Sequence, residues 1–154
     1  MVDRESRINE CMEFLRSSNM LVMATQGADG PYTSLMAYCC SDDGMEVYMI
    51  TRRDSTKWAN LINNPQVSLL VDDRDVKLEN DRENIKALTV TGVFAEVSER
   101  EDEEEMVKCL AEAVPSVASL FSGPECSVIR IKVLSFLLLD GPDSAFYSGI
   151  IRTS

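Results

Sequence analysis

The chain has 154 residues, 45% of them hydrophobic, which is enough to bury the core of one domain without disulfides or metal ions. Its 15 basic and 26 acidic residues give a net charge of −11, which opposes non-specific attraction to nucleic acid or anionic membranes. Histidine is absent, which excludes Ser-His-Asp and Cys-His catalysis, histidine-containing metal sites and haem ligation through histidine.

The sequence predicts a cytoplasmic protein with reduced thiols. No apolar run approaches the roughly 20 residues needed to cross a bilayer, and the charged residues 1–5 are unlike a signal peptide. The five cysteines are an odd number without CxxC spacing, and a disulfide between the adjacent Cys39 and Cys40 would be strained. We therefore expect reduced, mostly buried cysteines, no metal site, and neither a membrane nor a nucleic-acid partner.

One helix and three adjacent antiparallel strands are predicted at the beginning of the chain. Residues 3–18 carry apolar side chains at helical spacing, which is typical of an amphipathic helix. These side chains are Ile8, Cys11, Met12 and Leu15. Strands are predicted over residues 20–25, 32–40 and 45–51, because glycine-containing turns separate three β-rich runs.

Residues 51–60 join the third strand to a predicted helix that ends at Asn63-Asn64-Pro65. Asp54 or Ser55 is the expected N-cap of this helix. A helix that begins here would direct unpaired backbone N–H groups and the positive end of its dipole toward the turn. The turn therefore has the backbone geometry of an anion site.

The side chains of this turn strengthen that interpretation. Ser55 and Thr56 add hydroxyl donors, and Lys57, with Arg52 or Arg53, adds positive charge, so that several donors could converge on one phosphate. The alternative is an ordinary capped helix whose basic residues are solvated. Both interpretations remain open from the local residues alone.

Three more strands are predicted over residues 66–71, 87–97 and 127–139. Gly92 interrupts the second of these, which predicts a bulge or a sharp bend there. The polar residues 72–84 predict a loop of above-average length between the first and second of them.

A helix is predicted between the last two strands. Ser98 and Glu101 have the spacing of a capping box, and Pro115 ends the apolar stripe that follows. One further short helix is predicted around Val117, Leu120 and Phe121. Six strands with two or three helices, and without regular βα alternation, favour a mainly β, antiparallel barrel that forms a single domain over residues 1–154.

Several short motifs between residues 8 and 98 occur in a diagnostic order. They are Gly30-Pro31-Tyr32, the loop ending in Gly44, Thr51 with Ser55 and Lys57, the stretch N-N-P-Q-V-S-L-L at 63–70, and the strand around Gly92. In this order they resemble the FMN-binding split-barrel proteins, the family of pyridoxamine 5′-phosphate oxidase and its relatives. The T-x-x-x-S-x-K turn followed by N-N-P-x-V-S-L-L is more specific than the glycines.

The resemblance implies a six-stranded antiparallel Greek-key split barrel that binds FMN, and a homodimer with FMN at the subunit interface. It implies that Lys57 pairs with the flavin phosphate, that Ser55 and Thr56 hydrogen-bond to it, and that Ile50 and Thr51 lie along the flavin. The strand segment whose backbone would meet the flavin ring and ribityl chain is Ser34, Leu35, Met36 and Ala37.

The chain departs from the family pattern at the substrate positions. Pyridoxamine phosphate oxidases have arginine where this chain has Ser34, lysine near Cys39, glutamine at Ala87 and a C-terminal Arg-x-His pair, of which only Arg152 is present. These losses remove the charged contacts expected to hold the substrate. We therefore expect the cofactor fold without the vitamin-B6 reaction, and no residue is a convincing catalytic acid or base.

The expected function is that of an FMN-binding oxidoreductase acting on an unidentified small molecule, with the flavin supplying the chemistry. Two alternatives remain. The protein could be an electron carrier or flavin-storage protein without its own substrate. It could also be a degenerate relative that binds another phosphorylated ligand, or none, and acts as a dimeric interaction module.

Overall fold

The computed structural model describes residues 3–149, apart from the side chains of Ala118 and Leu120. Its strands are β1 (Met20–Gly27), β2 (Gly30–Ala37), β3 (Cys39–Cys40), β4 (Glu46–Arg52), β5 (Gln66–Asp72), β6 (Lys86–Ala95), β7 (Cys126–Asp140) and β8 (Ala145–Gly149). Its α-helices are α1 (Arg4–Arg16), α2 (Thr56–Asn63), α3 (Arg74–Lys77), α4 (Arg100–Ala113) and α5 (Pro115–Leu120), with a 3-10 turn at Arg82–Asn84. Across residues 3–149, none of the helices has the length and apolar character that a membrane span requires.

The eight strands form one antiparallel sheet in the order β2-β1-β5-β6-β7-β4-β3, and β8 pairs with β7. The two ends of this order, β2 and β3, are separated in the chain only by Tyr38. Because consecutive pieces of one strand stand at opposite ends of the sheet, the sheet curls into a barrel. β4 lies beside β7 rather than β5, which is a Greek-key arrangement. The antiparallel barrel predicted from the sequence is confirmed.

Alternate side chains of the strands fill the barrel. In β1 the buried positions are Leu21, Met23 and Thr25, with less buried residues between them. Val90, Ile131 and Phe136 are completely buried on the strands opposite. Cys11 and Leu15 of α1, also completely buried, belong to the same core cluster. The helical stripe predicted for residues 3–18 therefore packs on the barrel.

The strand predicted over residues 32–40 bends at Tyr38. The backbone N–H of Tyr38 bonds to the Asn19 carbonyl at 3.0 Å, and its phenol hydroxyl donates to the Leu15 carbonyl. The backbone bond is the last one in the register of β1 with β2, since Asn19 stands opposite Tyr38, and the next residue, Cys39, already pairs with β4. The predicted strand therefore forms two strands: β2 pairs with β1, and β3, which consists only of Cys39 and Cys40, pairs with β4. The three strands that the sequence predicted to be adjacent are thus connected through this bend.

The prediction of six strands is wrong, because the bend divides one strand into β2 and β3 and because β8 follows β7. β8 has only five residues after the Gly141-Pro142 turn, which is too short for a clear strand pattern. The loop predicted over residues 72–84 is also wrong in part, since it contains α3 and the 3-10 turn.

The predicted capping box at Ser98 and Glu101 is wrong as well. α4 begins at Arg100, so Glu99 is the N-cap, and it makes no side-chain capping hydrogen bond. Ser98 therefore precedes the cap by one residue. The acidic residues of the first turn, Glu101, Asp102 and Glu103, complement the helix dipole instead.

Gly92 of β6 lies at a bulge, as predicted, but the extra residue of the bulge is Leu134 of β7. The register with β7 shifts between Thr91 and Gly92. A Cβ atom at Gly92 would overlap the Ile131 side chain and lie 2.9 Å from the Lys132 carbonyl oxygen. Only glycine allows β7 to approach β6 this closely.

We predict that Gly92→Ala lowers the free energy of unfolding by about 1 to 3 kcal/mol, because the added methyl overpacks the bulge. Equilibrium urea denaturation measures this loss. Gly149→Ala is the matched control, because a Cβ there meets no atom of residues 3–149 within 4 Å. An equal loss in both variants would show that the close approach at Gly92 is not the cause.

Candidate cofactor-binding cavity

A cavity of about 320 Å³ lies where β2, the end of β4, the start of α2 and α5 come together. It is lined by Met20, Leu35, Met36, Ala37, Ile50, Thr51, Arg52, Ser55, Lys57, Val117 and Phe121. Two larger clefts, of about 550 and 630 Å³, lie around the β3–β4 loop and are lined mainly by polar residues. The smaller cavity is the better ligand site, because apolar walls meet a few hydroxyl and cationic groups at one end.

Seven of the nine residues predicted for the site line this cavity: Leu35, Met36, Ala37, Ile50, Thr51, Ser55 and Lys57. They come from three separate elements, β2, β4 and α2. The structure thus brings together residues that are up to 22 positions apart, from 35 to 57.

The other two predicted residues lie outside the lining. Ser34 is half-buried and stands opposite the completely buried Met23 in the β1–β2 ladder, so its side chain faces the barrel interior. Thr56 is exposed at the first position of α2. Arg152, the remaining part of the family's C-terminal substrate motif, lies outside the described residues.

The N-cap of α2 is Ser55 and not Asp54, the other candidate from the sequence. Its Oγ accepts from the Trp58 backbone N–H at 3.3 Å and donates to the Arg52 carbonyl at 2.8 Å. The Thr51 hydroxyl lies 3.2 Å from the Ser55 hydroxyl. Because the first turn of a helix leaves N–H groups unpaired, the cap directs backbone donors and the positive dipole end toward this part of the cavity.

Two of the turn's basic residues are already engaged. Arg52 donates two hydrogen bonds to the Asp54 carboxylate, at 3.0 and 3.1 Å, and these bonds lower the pKa of Asp54. Arg53 points to the start of β7, where it donates to the Cys126 carbonyl at 2.8 Å and the Ser127 hydroxyl at 2.9 Å. Arg53 therefore fastens the turn to the barrel and does not line the cavity.

Lys57 is the cation that the turn presents to the cavity. It is half-buried at the second position of α2 and lines the cavity with Ser55. Within residues 3–149, no carboxylate lies within ion-pair distance of its ammonium group. Its charge is thus available to an anion.

The wall supplied by α5 was not predicted. Val117 and Phe121 line the cavity and pack in one hydrophobic cluster with Ile50 of β4. The sequence predicted a short helix here but contained no signal for its packing partner, because β4 lies more than 60 residues earlier in the chain. Met20, at the start of β1, is the other missed apolar residue.

In the described part of the chain, the lining contains no carboxylate, tyrosine or cysteine and so offers none of these as an acid or base. Tyr38 and Tyr48 direct their hydroxyls to the Leu15 carbonyl and the Glu46 carboxylate. The cavity can bind a flat amphipathic molecule with an anionic end, and it leaves the chemistry to that molecule.

Solved structures share this fold. The heme binding protein from Mycobacterium smegmatis superposes with a TM-score of 0.82 at 19% identity, over 96% of this chain and 60% of that protein. The conserved hypothetical protein Rv2991 from Mycobacterium tuberculosis gives 0.70 at 26% identity, over 91% and 86% of the two chains. A FAD-binding protein from Mesorhizobium loti gives 0.69 at 17% identity, over 84% and 91%.

Sequence comparison identifies the family directly. Among curated proteins, none matches the chain significantly. The family profile described as pyridoxamine 5′-phosphate oxidase, however, matches residues 8–137. This match extends from α1 into the last part of β7 and so includes every element around the cavity. The chain belongs to the pyridoxamine 5′-phosphate oxidase family, and its barrel is the split barrel of that family.

Proposed function

We propose that the protein is an FMN-binding oxidoreductase, with the flavin phosphate at the β4–α2 turn and the ring system against the apolar part of the cavity. One observation carries this proposal. A single cavity joins the capped N-terminus of α2, the hydroxyls of Thr51 and Ser55 and the ammonium of Lys57 to an apolar wall. A phosphorylated aromatic ligand needs both ends of this arrangement.

The phosphate end combines three kinds of donor. Lys57 supplies full charge, Thr51 supplies a hydroxyl, and the first turn of α2 supplies backbone N–H groups. The Ser55 hydroxyl donates to the Arg52 carbonyl, so Ser55 acts mainly by capping the helix and reaches a phosphate only if that bond is exchanged. Arg52 contributes charge reduced by its pairing with Asp54.

The remaining walls suit an isoalloxazine ring. Leu35, Met36 and Ala37 of β2 and Ile50 of β4 form one side, and Val117 of α5 contributes to another. Two of the structural neighbours are a heme binding protein and a FAD-binding protein, but FMN fits this donor set better than heme or FAD. The chain has no histidine to ligate heme iron. The adenosine part of FAD would extend beyond a cavity of about 320 Å³.

A bound flavin would supply the electron-transfer chemistry, while the protein binds it, orients it and excludes water. The described lining residues include no carboxylate, tyrosine or cysteine, so we assign none of them a role in proton transfer during substrate oxidation. The same observation favours a second candidate function, an electron carrier that exchanges electrons with other redox partners. We propose a cytoplasmic location for either function.

A homodimer is the assembly we propose. A row of directly paired residues crosses the outer face of the sheet from β2 to β8: Leu35, Val22, Leu70, Thr89, Leu137 and Tyr147. Leu35 is 70% exposed and Tyr147 is 67% exposed. Leu35 also lines the cavity, so a second copy on this face would help to enclose the cofactor.

We predict that Lys57→Ala weakens FMN binding about ten- to a hundredfold, because a charge-assisted contact of about 1.5 to 3 kcal/mol is lost. Titration of FMN and riboflavin into the flavin-free protein measures this effect. Riboflavin, which has no phosphate, should bind equally to both proteins. Lys108→Ala, which changes the net charge equally away from the cavity, is the control. Equal losses for both flavins would contradict the phosphate assignment.

We predict that pyridoxamine 5′-phosphate is not oxidised at an enzyme-like rate, since Ser34 and Ala87 replace the family's charged and amide contacts. The assay is pyridoxal phosphate formation by the FMN-loaded protein, and many turnovers would refute the prediction. In parallel, steady-state turnover with a reduced nicotinamide donor distinguishes an enzyme from a carrier.

We predict that Tyr147→Asp weakens the dimer at least about tenfold, because it places two unpaired charges in an apolar interface. Sedimentation velocity over a concentration series measures the dissociation constant. The matched control is Val76→Asp on α3, where the side chain is 79% exposed and lies away from this sheet face. A stable flavin-loaded monomer of the unaltered protein at micromolar concentration would refute the assembly.

A further inference from the structure

Three cysteines meet where α4 packs against β3, next to the cavity but outside its lining. The Cys109 thiol of α4 donates to the Cys40 carbonyl at 3.5 Å. It also packs in one hydrophobic cluster with Cys39 of β3. Two thiols that pack together on different elements are a potential cross-link.

Strand alternation decides which of the adjacent cysteines faces α4. Neighbouring residues of a strand point to opposite faces. Cys40 packs against the main barrel core, whereas Cys39 belongs to the cluster formed with Cys109 and Leu110 of α4. Cys39 is therefore the natural partner of Cys109.

Solvent reaches the two thiols unequally. Cys39 is only 6% exposed, while Cys109 is half-buried and lines the open cleft of about 630 Å³. The cleft is lined by more carboxylates than basic groups, of which it has two, Lys108 and Arg130. The carboxylates are those of Asp42, Glu46, Asp102, Glu105 and Glu112. Such a surface repels anionic oxidants such as glutathione disulfide and admits neutral hydrogen peroxide.

We propose that Cys109 is a peroxide-sensitive residue that forms a disulfide with Cys39. The Cys109 thiolate sulfur attacks one oxygen of hydrogen peroxide, the O–O bond breaks, and Cys109 sulfenic acid and hydroxide form. The Cys39 sulfur then attacks the Cys109 sulfur, the S–O bond breaks, and water leaves as the S–S bond forms. Overall, the sulfurs lose two electrons, and the peroxide takes them with the two thiol protons to give two waters.

The environment of Cys39 keeps it out of the first step. Its burial raises the pKa of the Cys39 thiol. Cys39 therefore stays protonated and does not compete with Cys109 for peroxide, and in the second step its proton leaves with the hydroxyl of the sulfenic acid as water.

The disulfide would act on the wall of the cofactor cavity. α4 ends at Ala113, and α5 begins two residues later at Pro115. Val117 and Phe121 pack in the same cluster as Cys39 and Cys109 and also line the cavity. A link between β3 and α4 therefore fixes this wall against the β3–β4 hairpin.

The test treats the whole reduced protein with hydrogen peroxide and maps its peptides by mass spectrometry without reduction. We expect a Cys39–Cys109 linked peptide and a rise in melting temperature of roughly 5 to 15 °C, because the bond cross-links distant parts of the chain. Dithiothreitol should reverse both effects. Cys109→Ser should prevent the link. Cys126→Ser, which changes a half-buried thiol of the same cluster, should retain it.

Mapping of the unaltered protein decides the outcome even if a variant fails to fold. Three results would overturn the proposal. One is overoxidation of Cys109 to sulfinic acid without a link, and another is a link through Cys40 or between two chains. The third is a melting temperature that stays constant although the Cys39–Cys109 peptide is present, which would show that the bond does not constrain the fold.

Discussion

The bend at Tyr38 is the constraint on which the rest of the structure depends. Its buried phenol donates to the Leu15 carbonyl of α1, its backbone N–H makes the last bond of the β1 register to the Asn19 carbonyl, and Cys39 then pairs with β4. An unpaired hydroxyl or carbonyl here would cost roughly 1 to 3 kcal/mol. Both groups are satisfied only when α1 lies against the bend. The helix and the bend are therefore coupled.

Two consequences follow from the position of the bend. Residues 35–37, before it, are brought beside the end of β4, and together they form the cavity. After the bend, Cys39 turns toward α4 and Cys40 toward the barrel core. The cofactor cavity and the thiol pair are thus built from the two halves of one bent strand.

The turn before α2 shows how neighbouring basic residues take different roles. Arg53 bonds to the beginning of β7 and Arg52 pairs with Asp54, so both hold the turn in shape. Lys57 is left facing the cavity. In a chain of net charge −11, Lys57, which has no carboxylate partner among residues 3–149, is positioned where the field of the protein would otherwise repel a phosphate.

The parts of the structure that follow from short sequence patterns were predictable. Ser55 caps α2 because the residue before a helix needs a side-chain acceptor, and Gly92 marks its bulge because no other residue fits there. The bend at Tyr38 could not be predicted, because the bonds that cause it come from α1. β8 depends in the same way on pairing with β7. The capping-box prediction at Ser98 failed because α4 begins one residue later than a cap at Ser98 requires.

The candidate site likewise has one part that was predictable from a short sequence pattern and one part that depends on distant segments of the chain. The proposed phosphate end is formed by residues 51–57, so local chemistry reveals it in the sequence. The opposite wall comes from α5, whereas in the proposed dimer a second copy covers the cavity at Leu35 of β2. Because the Cys39–Cys109 pair is attached to the α5 wall, its oxidation would change the apolar end of the cavity more than the proposed phosphate end.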